Sequence, residues 1–365
     1  MSILAILGII FFILLYCAIC IYIGYNFWVW LKLTPWRLNK WFYIGIMTFL
    51  SSSIFLGQFI SFQPLKWVGG FWMAILGYSL LLLPVANLVI YFIKKRAAVY
   101  WVGLGLFAFF LFVLAYGSFN AWSPIVREVD IKIDKASDLD NLKVLMASDI
   151  HLGEIVGVKH LQRLVDIVEK EQPDVVLLPG DIIDDHIEPF MEQGMGEIMA
   201  KIKAPLGVYV IPGNHDYYGN DLEIMAEEME EAGAVVLMDQ SVLVDDQFYV
   251  VGRKDKTDGQ RAAVDRLVQD LDHTKPILMM DHQPYDFDIA AANGIDLLLA
   301  GHTHRGQLAP AHLITGKIYE NDWGYLQKGD LHTLVSSGFG TWGPPLRLGS
   351  RSEVFIINLE FAQQE

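Results

Sequence analysis

Five short clusters in this chain set carboxylates beside imidazoles. They are Asp149-Ile150-His151, Gly180-Asp181 with Asp184 three residues on, Gly213-Asn214-His215-Asp216, Asp281-His282, and Gly301-His302-Thr303-His304. Each comes directly after a short apolar run. A neutral imidazole offers one lone pair and a carboxylate two oxygens, so the set suits divalent ions with mixed nitrogen and oxygen ligands. Two such ions repel one another, and a carboxylate shared between them offsets the repulsion. Glycines beside the ligands let the backbone turn sharply and approach the ions.

The elements that must carry these clusters alternate. Leu142–Ser148, Asp174–Pro179, Gly207–Pro212, Pro276–Asp281 and Ile295–Ala300 read as buried strands. Between them, residues 158–170, 188–202, 221–233 and 261–271 carry helical apolar spacing or composition. Residues 234–239, 241–245 and 248–252 read as strands, the last two as a hairpin. The tail holds strands at 332–338 and 352–361. Alternating strands and helices predict sheets with helices on their faces. Open α/β sheets bind ligands at the carboxyl ends of their strands, where all five clusters fall.

The five clusters, in this order from Leu142 to the C-terminus, resemble the calcineurin-like metallophosphoesterases. The acid-free apolar N-terminus and the Gly340–Gly349 segment resemble a bacterial membrane-associated branch of that superfamily. The resemblance implies a four-layer αββα sandwich. It implies one ion held by Asp149, His151, Asp181 and His304, and a second by Asp181, Asn214, His282 and His302, with Asp181 as the bridge. A hydroxide between the ions would attack phosphorus, His215 would stabilise the transition state or protonate the leaving alcohol, and Asp216 would orient the His215 ring. Mn²⁺, Zn²⁺ or Fe suits such ligands.

Other polar residues are read more plainly. Asp184 is expected to orient the loop after the bridge, and Asp281 to support His282. Arg347, in the segment Gly343–Gly349, is the candidate contact to a substrate phosphate, with Arg305 behind it. His160, His186, His273, His312 and His332 match no cluster and are expected to be structural or superficial.

Charge divides the chain. Residues 1–120 hold seven of the 27 Lys and Arg and none of the 42 Asp and Glu. The remainder therefore carries twenty bases against 42 acids, a net of −22, which disfavours a grip on nucleic-acid phosphates. Four apolar runs, Ile3–Ile23, Trp41–Ile60, Val68–Ile93 and Val99–Phe119, are each long enough to cross a bilayer. The third contains Pro84, where a tilt or kink is expected. The first and third loops hold six basic residues, Lys32, Arg37, Lys40, Lys94, Lys95 and Arg96, and the second holds only Lys66. Basic loops stay in the cytoplasm, which puts both termini and the acidic domain outside the cell. The two cysteines, Cys17 and Cys20, lie in the first run. Residues 1–120 are thus expected to be a four-span membrane region, 121–140 a connector with an edge strand, and 141–365 the catalytic domain.

The reading is a membrane-anchored hydrolase of phosphomonoesters or phosphodiesters, with a lipid-linked substrate brought close by the spans. The alternatives are a nucleotide-lipid pyrophosphate hydrolase, similar to UDP-diacylglucosamine hydrolases, and a catalytically idle metal-binding sensor. A transporter is poorly supported, because the four spans carry no acid or histidine.

Overall fold

The computed structural model describes residues 2–60, 62–137, 139 and 141–362; Asp138 and Asp140 of the expected connector lie outside the described residues. The chain forms two compact units, Met1–Gly117 with Gly343–Leu346, and Ser118–Trp342 with Arg347–Glu365.

The first unit is built from α1 (Ile3–Leu31), α2 (Lys40–Phe59), α3 (Gln63–Ile93) and α4 (Arg96–Trp122), the last running on to Trp122 in the second unit. All four are long and apolar enough to cross a membrane. Helices apolar all round, as here, are stable only inside a protein core or a bilayer. Phe12 and Leu14 are 68% and 64% exposed, so the outer surface of α1 is hydrocarbon. Inside, Trp72 Nε1 donates to Tyr16 Oη at 3.0 Å and Asn87 Nδ2 to Tyr22 Oη at 2.7 Å, tying α3 to α1. Such bonds join helices where apolar burial gives no preference over lipid. The helix α3 runs unbroken through Pro84. Ser2 and Asn39 cap α1 and α2 with side-chain oxygens, as their polar types suit.

In the second unit two six-stranded sheets stack face to face. The first has the order β1-β12-β2-β3-β4-β5, with β1 (Ile125–Ala136), β2 (Asn141–Met146), β3 (Val175–Pro179), β4 (Val208–Ile211), β5 (Val235–Val236) and β12 (Glu353–Ala362). The second has the order β10-β11-β9-β8-β7-β6, with β6 (Gln240–Val244), β7 (Phe248–Gly252), β8 (Ile277–Met280), β9 (Leu297–Ala300), β10 (Gly324–Lys328) and β11 (Leu331–Val335). Val144, Leu177 and Ile211 of the first sheet and Val250, Leu278 and Leu299 of the second share one fully buried cluster between the sheets.

The outer face of the first sheet is covered by α5 (Val158–Glu171), α6 (Glu188–Glu192), α7 (Met195–Met199) and α9 (Leu222–Glu231). Leu161 and Leu164 of α5 are wholly buried there, each stabilising the fold by about 2 kcal/mol. The outer face of the second sheet carries α10 (Val264–Val268) and α11 (Phe287–Ala292). Two short helices, α8 (Asn214–Tyr218) and α12 (His312–Ile318), lie by the ligand loops. The result is the expected αββα sandwich.

Two details differ from the sequence expectations. The single helix read over 188–202 is two, split where Gly194 turns left-handed at φ 61°. The helix read over 261–271 shrinks to α10. The edge strand expected in the connector is present as β1, the end strand of the first sheet and a parallel partner of β12 along nine consecutive residues from Ile125 to Ile133. Strands β2 to β4 run parallel, as do β8 and β9. Parallel strands buried on both faces read as continuous apolar runs, and their carboxyl ends lie on one edge. That edge is where the clusters emerge.

Candidate metal centre

The five strand-end clusters converge. Asp149, His151 and His304 bring ligand atoms within 4.8 Å of one another, and so do Asp181, His282 and His302. Asp181, of the second group, also reaches His151 of the first, and its carboxylate oxygens have separate partners. Its Oδ1 accepts the His215 backbone N–H at 2.9 Å. Its Oδ2 lies 3.1 Å from His282 Nε2 and 3.6 Å from His151 Nε2. On one side His151 Nε2 meets His304 Nε2 at 3.0 Å, and His304 Nε2 is 3.5 Å from Asp149 Oδ1. On the other side His302 Nδ1 lies 2.7 Å from Asn214 Oδ1.

These contacts crowd ring nitrogens and carboxylate oxygens into a buried pocket. Asp149, His151 and His282 have no exposed surface, and Asp181 is 2% exposed. The buried Nε2 of His282 has no hydrogen-bond partner. An orphaned buried nitrogen costs roughly 1–3 kcal/mol unless something binds it. The charges conflict as well. Burial opposes a proton on His282, yet the Asp181 carboxylate prevails and raises it well above the usual imidazole range. Burial, then His151 and Arg347, hold His304 well below that range. Burial, then His282, lowers His302 to about 4. A divalent cation in each group would remove the conflict, and four imidazoles, two carboxylates and an amide would suit such ions.

Backbone geometry makes the convergence possible. Asp149, His151, Asp181, His302 and His304 all adopt left-handed φ, between 46° and 70°. Gly213 and Gly301 are needed for close approach. A Cβ on Gly213 would stand 2.2 Å from Asp181 Oδ1, and one on Gly301 2.2 Å from Asp149 Oδ2. Ligand orientation is fixed from behind. The Nδ1 of His282 is 2.8 Å from the Pro179 carbonyl oxygen, to which it donates, leaving Nε2 toward the pocket. The Asp281 carboxylate is gripped by Arg253 at 2.9 Å and Arg261 at 3.1 Å, which anchors the start of the His282 loop.

His215 stands beside this group, its ring 4.8 Å from that of His151 and nearly perpendicular to it. Its orienting partner is not Asp216. The Asp216 carboxylate instead accepts the backbone N–H groups of Ile182, Ile183 and Gly213, at 2.9 Å from Ile183 and 2.7 Å from Gly213. It clasps the bridge loop to the Asn214 loop. The partner of His215 is Asp185, whose Oδ1 lies 2.5 Å from Nδ1. Asp184 is 3.6 Å from His151 Nδ1 and 4.0 Å from His215 Nδ1, leaning on both rings. The only sequence signal for Asp185 was its place in the run Asp184-Asp185-His186.

Arg347 also departs from expectation. It is wholly buried, which lowers it to about 10, and is spent on the protein. Its guanidinium donates to the carbonyls of Ser337 and Gly340 and lies 3.2 Å from His304 Nδ1. It therefore supports a ligand loop and does not face substrate. Arg305 stacks on Trp323, 4.0 Å from the ring centre. Trp342, which no cluster signalled, sits 5.6 Å from the His215 ring and is half exposed. His160 is buried, near the Phe339 carbonyl, and burial lowers it to about 4. His186 is exposed.

Residues 142–306 match the family described as calcineurin-like phosphoesterase. The chain is 30% identical over 254 residues to an uncharacterized metallophosphoesterase of Aquifex aeolicus, covering 67% of this chain and 95% of that one. It is 32% identical over 265 residues to a transmembrane protein with metallophosphoesterase domain of Danio rerio, 68% of this chain but only 60% of the relative. An uncharacterized metallophosphoesterase of Campylobacter jejuni is 29% identical over 362 residues, 88% of this chain and 91% of that one. Fold and site thus define a metal-binding α/β sandwich of the phosphoester-hydrolase class. The chain belongs to the calcineurin-like metallophosphoesterase family.

Proposed function

We propose that the protein hydrolyses phosphoesters with two divalent ions, one held by Asp149, His151, Asp181 and His304 and the other by Asp181, Asn214, His282 and His302. The observation that carries this is the single oxygen, Asp181 Oδ2, placed between His282 and His151 while the other oxygen is engaged by the His215 N–H. When bound, the ions supply positive charge that acidifies a water and neutralises the phosphoryl oxygens. The chain's own residues do the rest. Asp185 holds His215 by Nδ1, so Nε2 is the atom that gives its proton to the leaving alkoxide. Half-exposed Trp342 flanks that ring.

The test is turnover of aryl phosphomonoester, aryl phosphodiester and lipid phosphate by the purified chain with Mn²⁺, before and after chelation. Hydrolysis of at least one substrate is expected, lost with chelator and restored by Mn²⁺, Zn²⁺ or Fe²⁺. Full turnover in excess chelator would contradict the reading.

The four apolar helices in the same chain favour a substrate held at a membrane, such as a lipid-linked phosphoester. The basic loops around Lys32 and Lys94 favour a cytoplasmic position for them, with the acidic domain outside the cell. Protease added to intact cells should then cleave the C-terminal domain from its helices. Complete protection, with cleavage only after lysis, would reverse the orientation.

A further inference from the structure

Among the short helices of the second unit, α12 is turned inside out. None of its residues is buried, and Leu313, Ile314 and Ile318 are 61%, 62% and 59% exposed. These three and Lys317 occupy positions i, i+1, i+4 and i+5, which is one face of a helix. The inward side is polar. Thr315 Oγ1 donates to Asp322 Oδ2 at 2.6 Å, and the backbone carbonyl of the same Asp322 accepts from Thr303 Oγ1 at 2.6 Å. A helix of a water-facing domain has the opposite arrangement, apolar inward and polar outward.

The segment also carries no negative charge. All 42 acids of the chain lie beyond residue 120, yet residues 305–319 contain none, and they hold Arg305 and Lys317. Glu320, the next residue, is paired with Lys328 at 2.9 Å. An exposed aliphatic face with a lysine on it and no acid matches the chemistry of an anionic lipid surface. The chain that carries it also has four helices able to cross a membrane.

We infer that α12 is a membrane-contacting element whose Leu313, Ile314 and Ile318 enter the interface of an anionic bilayer. It is joined to the metal centre at short range. A Cβ on Gly306 would stand 2.4 Å from the Ala311 carbonyl carbon, so the His304 turn and the start of α12 are in direct contact. Thr303, between the two histidines of the ligand loop, is tied through Asp322 to Thr315. Lipid contact at α12 thus brings the ligand loop to the surface where a lipid phosphoester lies. The inference rests on the membrane reading of α1–α4 and not on turnover.

The test uses the full chain in nanodiscs, with Cys17→Ala and Cys20→Ala removing the native thiols. A spin label is placed by Ile314→Cys, by Ile318→Cys or, as a control of similar exposure, by Met191→Cys. Accessibility to oxygen, which partitions into lipid, is compared with accessibility to a water-soluble nickel chelate. The oxygen-to-nickel ratio is expected to be several-fold higher at 314 and 318 than at 191, and higher with phosphatidylglycerol than with phosphatidylcholine alone. Ratios at 314 and 318 equal to that at 191 would overturn the inference. Shielding of both sites from oxygen and nickel alike would also overturn it, since a protein partner would then cover the face. A chain that fails to enter nanodiscs would remove the membrane reading and this inference together. An inactive protein that gives the expected ratios would count against the hydrolase reading alone.

Discussion

Asp181→Asn is expected to lower turnover roughly a thousandfold or more, on the order of 4 kcal/mol of transition-state stabilisation. Bound metal should fall with it. The two oxygens of Asp181 make the substitution selective. An asparagine can keep its amide oxygen at the Oδ1 position and still accept the His215 N–H, so the loop stays in place. The amide nitrogen then takes the Oδ2 position between His282 and His151. An NH₂ group donates hydrogen bonds and has no lone pair to offer a cation. Metal analysis beside kinetics decides the matter. Two ions per chain and normal turnover in the variant would defeat the bridging assignment.

His215→Ala is expected to keep both ions yet lose about 10²–10⁴-fold in turnover, the usual contribution of a positioned proton donor. The loss should depend on the leaving group. A nitrophenolate departs without a proton and should suffer least, and an alkoxide most. Equal losses for both would remove His215 from proton transfer and leave it a binding role. Asp185→Asn should give the same leaving-group pattern at smaller size, because it acts through the imidazole. Asp216→Asn should not give that pattern. Its carboxylate serves the N–H groups of Ile182, Ile183 and Gly213, so its loss should loosen the metal loops for every substrate.

The fold and the convergence of the five clusters were legible for the same reason. A strand such as Val175–Pro179 is apolar without interruption because it is covered on both faces, and the polar residues after it can only lie at the sheet's edge. The pairing around His215 was not legible, because it depends on direction. On the helix α8, His215 and Asp216 are adjacent, and successive side chains on a helix point about 100° apart. Asp185, thirty residues away in sequence, comes to face the ring because the bridge loop turns back on itself, with Asp185 left-handed at φ 64°. Arg347 misled for a related reason. A basic residue in a Gly- and Pro-rich segment reads as exposed, and nothing local records that the carbonyls of Ser337 and Gly340 enclose it. The inverted helix α12 was invisible because seven residues give too little periodicity to assign a face.

The left-handed backbone at Asp149, His151, Asp181, His302 and His304 has a consequence beyond catalysis. Each non-glycine residue held there costs about 1–2 kcal/mol relative to an ordinary conformation, so the five together work against a folded state whose whole margin is typically about 5–15 kcal/mol. Cations held there would act as rivets on loops that would otherwise spring apart, since a species bound only by the native chain raises its stability by mass action. Scarcity of those cations would therefore shorten the lifetime of the polypeptide as well as silence it, and its abundance in the membrane would follow the supply of metal.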